Sequence, residues 1–423
     1  MKNNRRKILI ISHNCLSLSG SNGRTMRNLL YNIADVDFAQ FYICPEKPDF
    51  TLCSNYYCIG DLQAIKNLCG IEQCGRVTMH ANQGADDSVR KKIKKRKSAW
   101  IYIIRTIIWK MFLLRANKLK EWVKDFCPSH VIVQAGDFPV LFDLARYIAK
   151  KYSARLIVYN TEGYYFKEKS YFSTDNSIDL FYSIWHRYFK AAYKKLTASA
   201  DEVVYNCELL KTDYDRDLGT KSSVIYASSE FAAIADNDIP QKLPKIVYAG
   251  NLGLNRYKCL IEFASALNTL GSQYVLDVYS ANADPDIIRA LKTTPSLRYN
   301  GSLPYSALKS VLLESQYLLH VESFDENLLD ELKYAFSTKI ADSLASGSCL
   351  ILYAPTGIAA TEYLLNNDAA YIITEQNALI QGLKSLFESG KDIDIVHKSR
   401  LIASENHSID KNGIKFKKLI LGS

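Results

Sequence analysis

The stretch FSTKIADSLASGSCLILYAPTGIAATE, Phe336 to Glu362, decides the fold. Ser337 and Thr338 are helix-capping residues, and the carboxylate of Asp342 follows within the first turns. Ile340, Leu344 and Ala345 recur at helical spacing, and Gly347 sits where such a helix stops. Cys349-Leu-Ile-Leu-Tyr353 then reads as a short, fully buried strand. Pro355-Thr-Gly357-Ile-Ala forms a turn that opens another helix. A helix, a parallel-type strand and a small-residue loop follow one another here. In doubly wound α/β sheets, loops of this kind at the carboxyl ends of strands hold ligands.

Working outward, a chain of 423 residues exceeds one ordinary core, so two domains are expected. Its 48% apolar and 23% charged residues are those of a soluble globular protein. The net charge of +9 is modest, and its location matters more than its size. The start, MKNNRRKILIIS, has the basic opening of a signal peptide, but its apolar run is too short and reads as a strand. Ten cysteines form no CxxC pair. Cys53/Cys58 and Cys69/Cys74, near His80, lack the tighter spacing of a zinc site, so no metal is expected and the thiols read as reduced core residues.

The first domain opens with the strand Lys7 to Ser12. A polar loop, His13 to Thr25, should follow, with a helix from about Thr25. Asn22, Gly23 and Arg24 fall in that loop as acceptor-side candidates, without the GxGxxG spacing of a dinucleotide site. Arg90 to Lys97 (RKKIKKRK) holds seven cations in eight residues and runs into an apolar helix, Ala99 to Leu114. On a wheel, Ile103, Ile104, Ile107, Ile108, Met111, Phe112 and Leu114 share one face, and Arg105, Thr106 and Lys110 the other, with Tyr102 and Trp109 on the polar side. The helix is too short to span a bilayer, so region 90–126 is expected to lie on an anionic membrane surface, where each cation contributes about 1 kcal/mol. Nucleic acid is not expected as a partner, because the basic run is short and abuts an apolar helix. Two later strands end at Asp137 and Glu162, so both carboxylates should look into one crevice as a general base or hydroxyl ligand.

Ala227 to Pro244 is polar and contains Pro240 and Pro244, which marks a linker. The strand Lys245 to Ala249 then leads into a glycine-bearing loop with Gly250, Asn251, Gly253, Arg256 and Lys258. Glycine lets backbone N–H groups approach an anion, and Arg256, Lys258 and Lys339 add full charges where a diphosphate would leave. DxD matches, at Asp35, Asp284 and Asp392 among others, lie in unrelated contexts. No P-loop, nucleophile elbow or HExxH is present.

The segments YAGNLGLNRYK, YNGSLPYSALKSVL and FSTKIADSLASGSCLILYAPTGIAATEYL resemble the donor domain of bacterial family-4-type glycosyltransferases, while ILIISHN…SNGRT is similar to their acceptor domain. The resemblance implies the GT-B fold, α/β with two Rossmann-like domains facing across a cleft. The domains expected are 1–230 for the acceptor, 231–244 as linker, 245–395 for the donor, and a terminal helix in 396–423 crossing back. The implied activity is retaining, metal-independent transfer of a sugar from a nucleotide sugar to a glycan or lipid-linked acceptor. It would serve capsule, exopolysaccharide or lipopolysaccharide synthesis, in the cytoplasm and peripheral to the inner face of the membrane, with no cofactor.

By position, Asp342 stands at the ribose-binding glutamate, and Tyr334 at the partner glutamate eight residues earlier, leaving Glu322 and Asp325 as substitutes. Arg256 and Lys258 match the diphosphate pair, Gly301, Ser302 and Leu303 the base-contacting loop, and Ser337, Thr338 and Lys339 the donor helix start. Asp137, with Glu162 second, matches the acceptor-side catalytic position. A non-catalytic scaffold and a nucleotide-sugar epimerase are the alternatives.

Overall fold

The structure, a computed structural model, describes residues 5–18, 21–71, 75–77, 100–168, 179–271, 273–281 and 284–422. The basic run Arg90 to Lys97, together with Cys74 and His80 of the zinc consideration, lies outside them. The chain divides into two compact units, one of residues 1–206, 210–225 and 413–423, the other of 207–209 and 226–412.

The N-terminal unit is built on an eight-stranded sheet. Its strands are β1 (Arg6–Ser12), β2 (Val36–Tyr42), β3 (Asn55–Cys58), β4 (Arg76–Val77), β5 (His130–Ala135), β6 (Arg155–Asn160), β7 (Glu202–Tyr205) and β8 (Ser223–Val224). The order is β4-β3-β2-β1-β5-β6-β7-β8, parallel except for the edge pair β3–β4. Ile8 to Ile11 and Val131 to Val133 are wholly buried, as strands covered by helices on both faces must be. The last helix, Ile409–Leu421, lays Phe416 and Ile420 into this core, with Phe416 edge-on to Tyr159.

Two local expectations change. The first helix is Ser21–Leu30, so Asn22, Gly23 and Arg24 form its first turn rather than a loop. Gly23 serves close packing: a Cβ there would stand 2.1 Å from the Cys15 carbonyl oxygen. The helix Trp100–Arg115 buries Thr106, Trp109 and Phe112, so most of the polar side of its wheel faces inward. Phe112, assigned to the apolar face, turns inward with Trp109 at 5.4 Å between rings. Ile104, Ile107, Met111 and Leu114 point outward, 43%, 52%, 45% and 77% exposed. Asp61 draws the polar side in, accepting from Arg105 Nε at 2.9 Å and Trp109 Nε1 at 2.7 Å.

The C-terminal unit carries six parallel strands: β9 (Leu243–Ala249), β10 (Leu276–Tyr279), β11 (Leu297–Gly301), β12 (Ser315–Val321), β13 (Cys349–Tyr353) and β14 (Tyr371–Ile373). Their order is β11-β10-β9-β12-β13-β14. The opening stretch folds as read, into the helix Thr338–Ala345, strand β13 and the helix Ala359–Asn366.

The expected linker is packed against this unit. Lys242 Nζ donates to the carbonyls of Leu313 at 2.6 Å and Ser346 at 2.8 Å, and burial lowers its pKa to about 8. The fully buried His407 ring contacts the carbonyl of Ala227 through Nδ1 at 2.7 Å and the Tyr363 hydroxyl through Nε2 at 2.9 Å.

Burial lowers the His407 pKa to about 4, whereas the unfolded chain holds histidine near 6.5. Acidification therefore protonates the unfolded chain first. The contribution of His407 is complete above pH 6.5 and fades toward pH 4, by roughly 3 kcal/mol over that window. Urea unfolding of the full chain should show this slope, and His407→Gln should flatten it.

Candidate functional site

In an open parallel sheet, the crevice lies where consecutive connections leave in opposite directions. In the N-terminal unit that point lies between β1 and β5, and in the C-terminal unit between β9 and β12. Each unit places a cation-capable side chain and a carboxylate there.

In the N-terminal unit, His13 follows β1 and Asp137 follows β5, with His13 Nε2 3.2 Å from Asp137 Oδ1. Gly136 makes the approach possible, because a Cβ there would lie 2.7 Å from His13 Nδ1. Phe138 anchors the loop. Its ring meets Trp109 edge-on, and the Arg105 guanidinium sits 4.1 Å over it. Burial opposes ionisation of Asp137, but His13 and then Arg105 outweigh it and hold its carboxyl below the ordinary value. Glu162, after the neighbouring strand β6, moves the other way. Burial raises its pKa, Lys167 counters, and Asp137 adds to the rise. Two nearby carboxylates with opposite shifts are suited to different proton tasks.

In the C-terminal unit, Glu322 directly follows β12 and Arg256 begins the helix Arg256–Thr269. Glu322 is 2% exposed and accepts from Arg256 Nε at 2.8 Å, with Nη2 at 2.7 Å. His320 Nε2 stands 3.3 Å from its other oxygen. Burial works against the charge on Glu322, yet His320 and Arg256 prevail and lower its pKa. Arg256 is thus committed to a buried partner, and Lys258, two positions along, is exposed.

The glycine loop is largely occupied by its own structure. Gly250 lies where a Cβ would meet the Tyr248 hydroxyl at 2.4 Å, and the Gly253 amide donates to Asn251 Oδ1 at 2.8 Å. Leu254 and Asn255 are left-handed, with φ of 54° and 58°, and Asn255 Nδ2 reaches Asp325 Oδ2 at 2.9 Å. Ser337 caps its helix by accepting from the Lys339 amide at 3.3 Å, with Thr338 and an exposed Lys339 in the first turn. Gly301 is left-handed with φ of 71°, and Ser302 and Leu303 are exposed beside it. Asp342 is 3% exposed and accepts from the Ser229 hydroxyl at 2.6 Å. The Arg256 and Glu322 candidates therefore meet, whereas Asp342 lies inside the unit against Ser229.

Sequence reading missed His13 and His320. The signal for His13 was its place, the first residue after a buried strand. Among the described residues, no three His, Cys, Asp or Glu side chains cluster as a metal site. No helix among them is long and apolar enough to cross a membrane.

Glu322→Ala would leave Arg256 buried without its partner, which costs about 3–5 kcal/mol. Chemical unfolding of the full chain should register a loss of that order, and Glu322→Gln a smaller one.

No family model matches the chain, and no curated protein does. Solved structures match its fold. Anabaena Alr3699/HepE, in complex with UDP and glucose, is 10% identical, with 99% of this chain and 100% of that chain covered at a TM-score of 0.63. WaaG, a glycosyltransferase involved in lipopolysaccharide biosynthesis, is 11% identical, with 98% and 100% covered at 0.59. Against the GtfA/B complex, at 13% identity, 73% of this chain matches 60% of that chain at 0.53. Two parallel, Rossmann-like units and these likenesses together give the chain the GT-B fold.

Proposed function

We propose that the protein is a glycosyltransferase. It moves a sugar from a nucleoside-diphosphate sugar to a hydroxyl of a lipid-linked glycan acceptor in surface-polysaccharide synthesis, without a metal. The observation that carries this reading is the GT-B fold with acid–base pairs at both switch points, His13–Asp137 and Arg256–Glu322. The C-terminal unit takes the donor. Lys258 and Lys339 sit in the first turns of two helices and meet the diphosphate there, where helix N-termini favour anions. Asp325, partly exposed although bonded to Asn255, is the carboxylate assigned to a donor hydroxyl, since Glu322 and Asp342 are almost fully buried. HepE and WaaG, of the same fold, support the donor class and the setting by what they bind and make.

A panel of nucleoside-diphosphate sugars should raise the melting temperature of the full chain for one member, since a ligand at 100 times its Kd adds about 2.7 kcal/mol. Lys258→Ala should weaken that donor about tenfold or more, as loss of a charge-assisted hydrogen bond does. A chain that binds no member of the panel is a scaffold instead.

The lipid-linked acceptor is supported by the outward face of the helix Trp100–Arg115. That helix exposes Ile104, Ile107, Met111 and Leu114 and packs against the helix Leu180–Ala198, which exposes Leu180, Phe181 and Ile184. An amphipathic helix ordinarily turns its apolar face inward. Here that face is outward, and the chain just before it carries RKKIKKRK, which complements an anionic bilayer. The inner face of the same helix holds Phe138 beside Asp137. The protein would therefore work at the inner surface of the cell membrane, with the acceptor loop close to the lipid.

Vesicles of phosphatidylglycerol should bind the full chain, and phosphatidylcholine vesicles should not. Binding should fall with salt, and Ile107→Asp with Met111→Asp should reduce it at least tenfold while donor binding persists. Equal binding to both vesicle types would remove the membrane assignment.

A further inference from the structure

We propose that the amino end of the N-terminal sheet holds a saccharide-binding site, separate from the loops after β1, β5 and β6, which takes a neutral sugar unit of a glycan chain. The choice of a glycan as the source of that sugar rests on the transferase reading; the cavity does not.

A cavity of about 470 Å³ opens between the amino ends of β1 to β4 and the helix Asn117–Phe126. That volume falls within the range of about 300–1,000 Å³ of small-molecule sites. Lys7 lies at this end of β1 and His13 just past the other, six positions on, which at about 3.3 Å per residue is roughly 20 Å. Asp137 and Glu162, at the carboxyl ends, take no part in its lining.

The helix Asn117–Phe126 supplies the inner wall, because its apolar face is Leu119, Trp122, Val123 and Phe126. Trp122 and Phe126 line the cavity with Val36, Phe38 and Leu52. This wall is held in place. Trp122 Nε1 donates to Asn55 Oδ1 at 2.7 Å, its ring stands 5.2 Å from that of Tyr57, and Cys53 Sγ donates to the Phe38 carbonyl at 3.3 Å.

Polar groups surround the apolar wall: Lys7, Arg76, Asp37 and Asp125, with Ser54 and Asn55. Lys7 Nζ lies 5.9 Å from the Phe126 ring centre and makes no hydrogen bond or ion pair among the described residues. The carboxylates have only loose partners, Asp37 in Arg5 at 3.6 Å and Asp125 in Arg76 at 3.5 Å, all of them well exposed. Exposed pairs of this kind contribute about 0–1 kcal/mol, so hydroxyl groups of a ligand replace them at little cost.

That pattern selects the ligand. A hydroxyl donates once and accepts twice, so a polyol satisfies carboxylates and cations side by side. The C–H face of a pyranose ring covers the aromatic and aliphatic wall. Lys7 and Arg76 balance Asp37 and Asp125, so no net charge draws in an anion. Phe126 is the last residue of its helix, and the partial negative charge of a helix end disfavours one.

The test labels the tryptophans of the full chain with ¹⁵N and follows their indole signals, each identified by its Phe variant. Maltose, cellobiose and N,N′-diacetylchitobiose are the probes. At least one should shift the Trp122 signal saturably and leave Trp109, beside Phe138 in the loop after β5, unmoved. Asp37→Ala with Arg76→Ala should weaken that binding at least tenfold. Ser54→Trp, a large side chain at the exposed rim, should abolish it, with the thermal shift by the donor unchanged. A chain segment as ligand requires the disaccharide to bind at least threefold more tightly than its monosaccharide, and equal affinity overturns the glycan source. No shift of Trp122 with any probe, an equal shift with inorganic phosphate, or full affinity in the double variant overturns the site. Each of those results leaves the transferase reading standing, since donor binding is read separately. Sugar binding by a chain that takes no donor removes that reading and keeps the site.

Discussion

The burial of parallel strands on both faces is the constraint from which the rest follows. Ile8 to Ile11, Val131 to Val133 and Leu350 to Leu352 are entirely shielded from water. A strand covered on both sides leaves little room for charge along its length, so most of the polar groups collect at the carboxyl ends. Both units obey this. His13, Asp137 and Glu162 begin where β1, β5 and β6 stop, and Glu322 begins where β12 stops.

The two switch points solve one electrostatic problem in different ways. Glu322 is almost fully buried, so it stays charged only because Arg256 offers two nitrogens and His320 stands beside it. Such a pair fixes geometry more than it adds stability, since desolvation offsets much of the attraction. It ties the loop after β9 to the loop after β12, next to the left-handed Leu254 and Asn255. The pair His13–Asp137 is partly exposed, with side chains 19% and 28% accessible. A partly exposed pair keeps contact with solvent.

The helix Trp100–Arg115 links the loop after β5 to the protein surface. Its polar groups are spent inward, Arg105 and Trp109 on Asp61 and Phe138, because a loop carrying a charged Asp137 needs donors and cations beside it. Its exposed side carries Ile104, Ile107, Met111 and Leu114 together with Trp100, Lys110 and Arg115. Sequence reading recognised two unlike faces but put Phe112 on the outer one, since a wheel has no knowledge of which side meets Asp61.

The sequence by itself determined the α/β class, most strands, the opening helix–strand–helix stretch and the placement of Asp137 and Glu162 just after strands. These depend on local periodicity, capping and glycine placement, which are written within a few residues. It erred at Ser21–Leu30, where Gly23 read as a turn but serves contact with the Cys15 carbonyl, a neighbour that local pattern does not reveal. Only the tertiary structure decided which charged groups pair. Arg256 and Glu322 lie 66 positions apart, and Asp342 meets Ser229 across 113. Periodicity reports which face a residue takes, whereas a pair needs two distant strand ends at one crevice, and that is a property of sheet order alone.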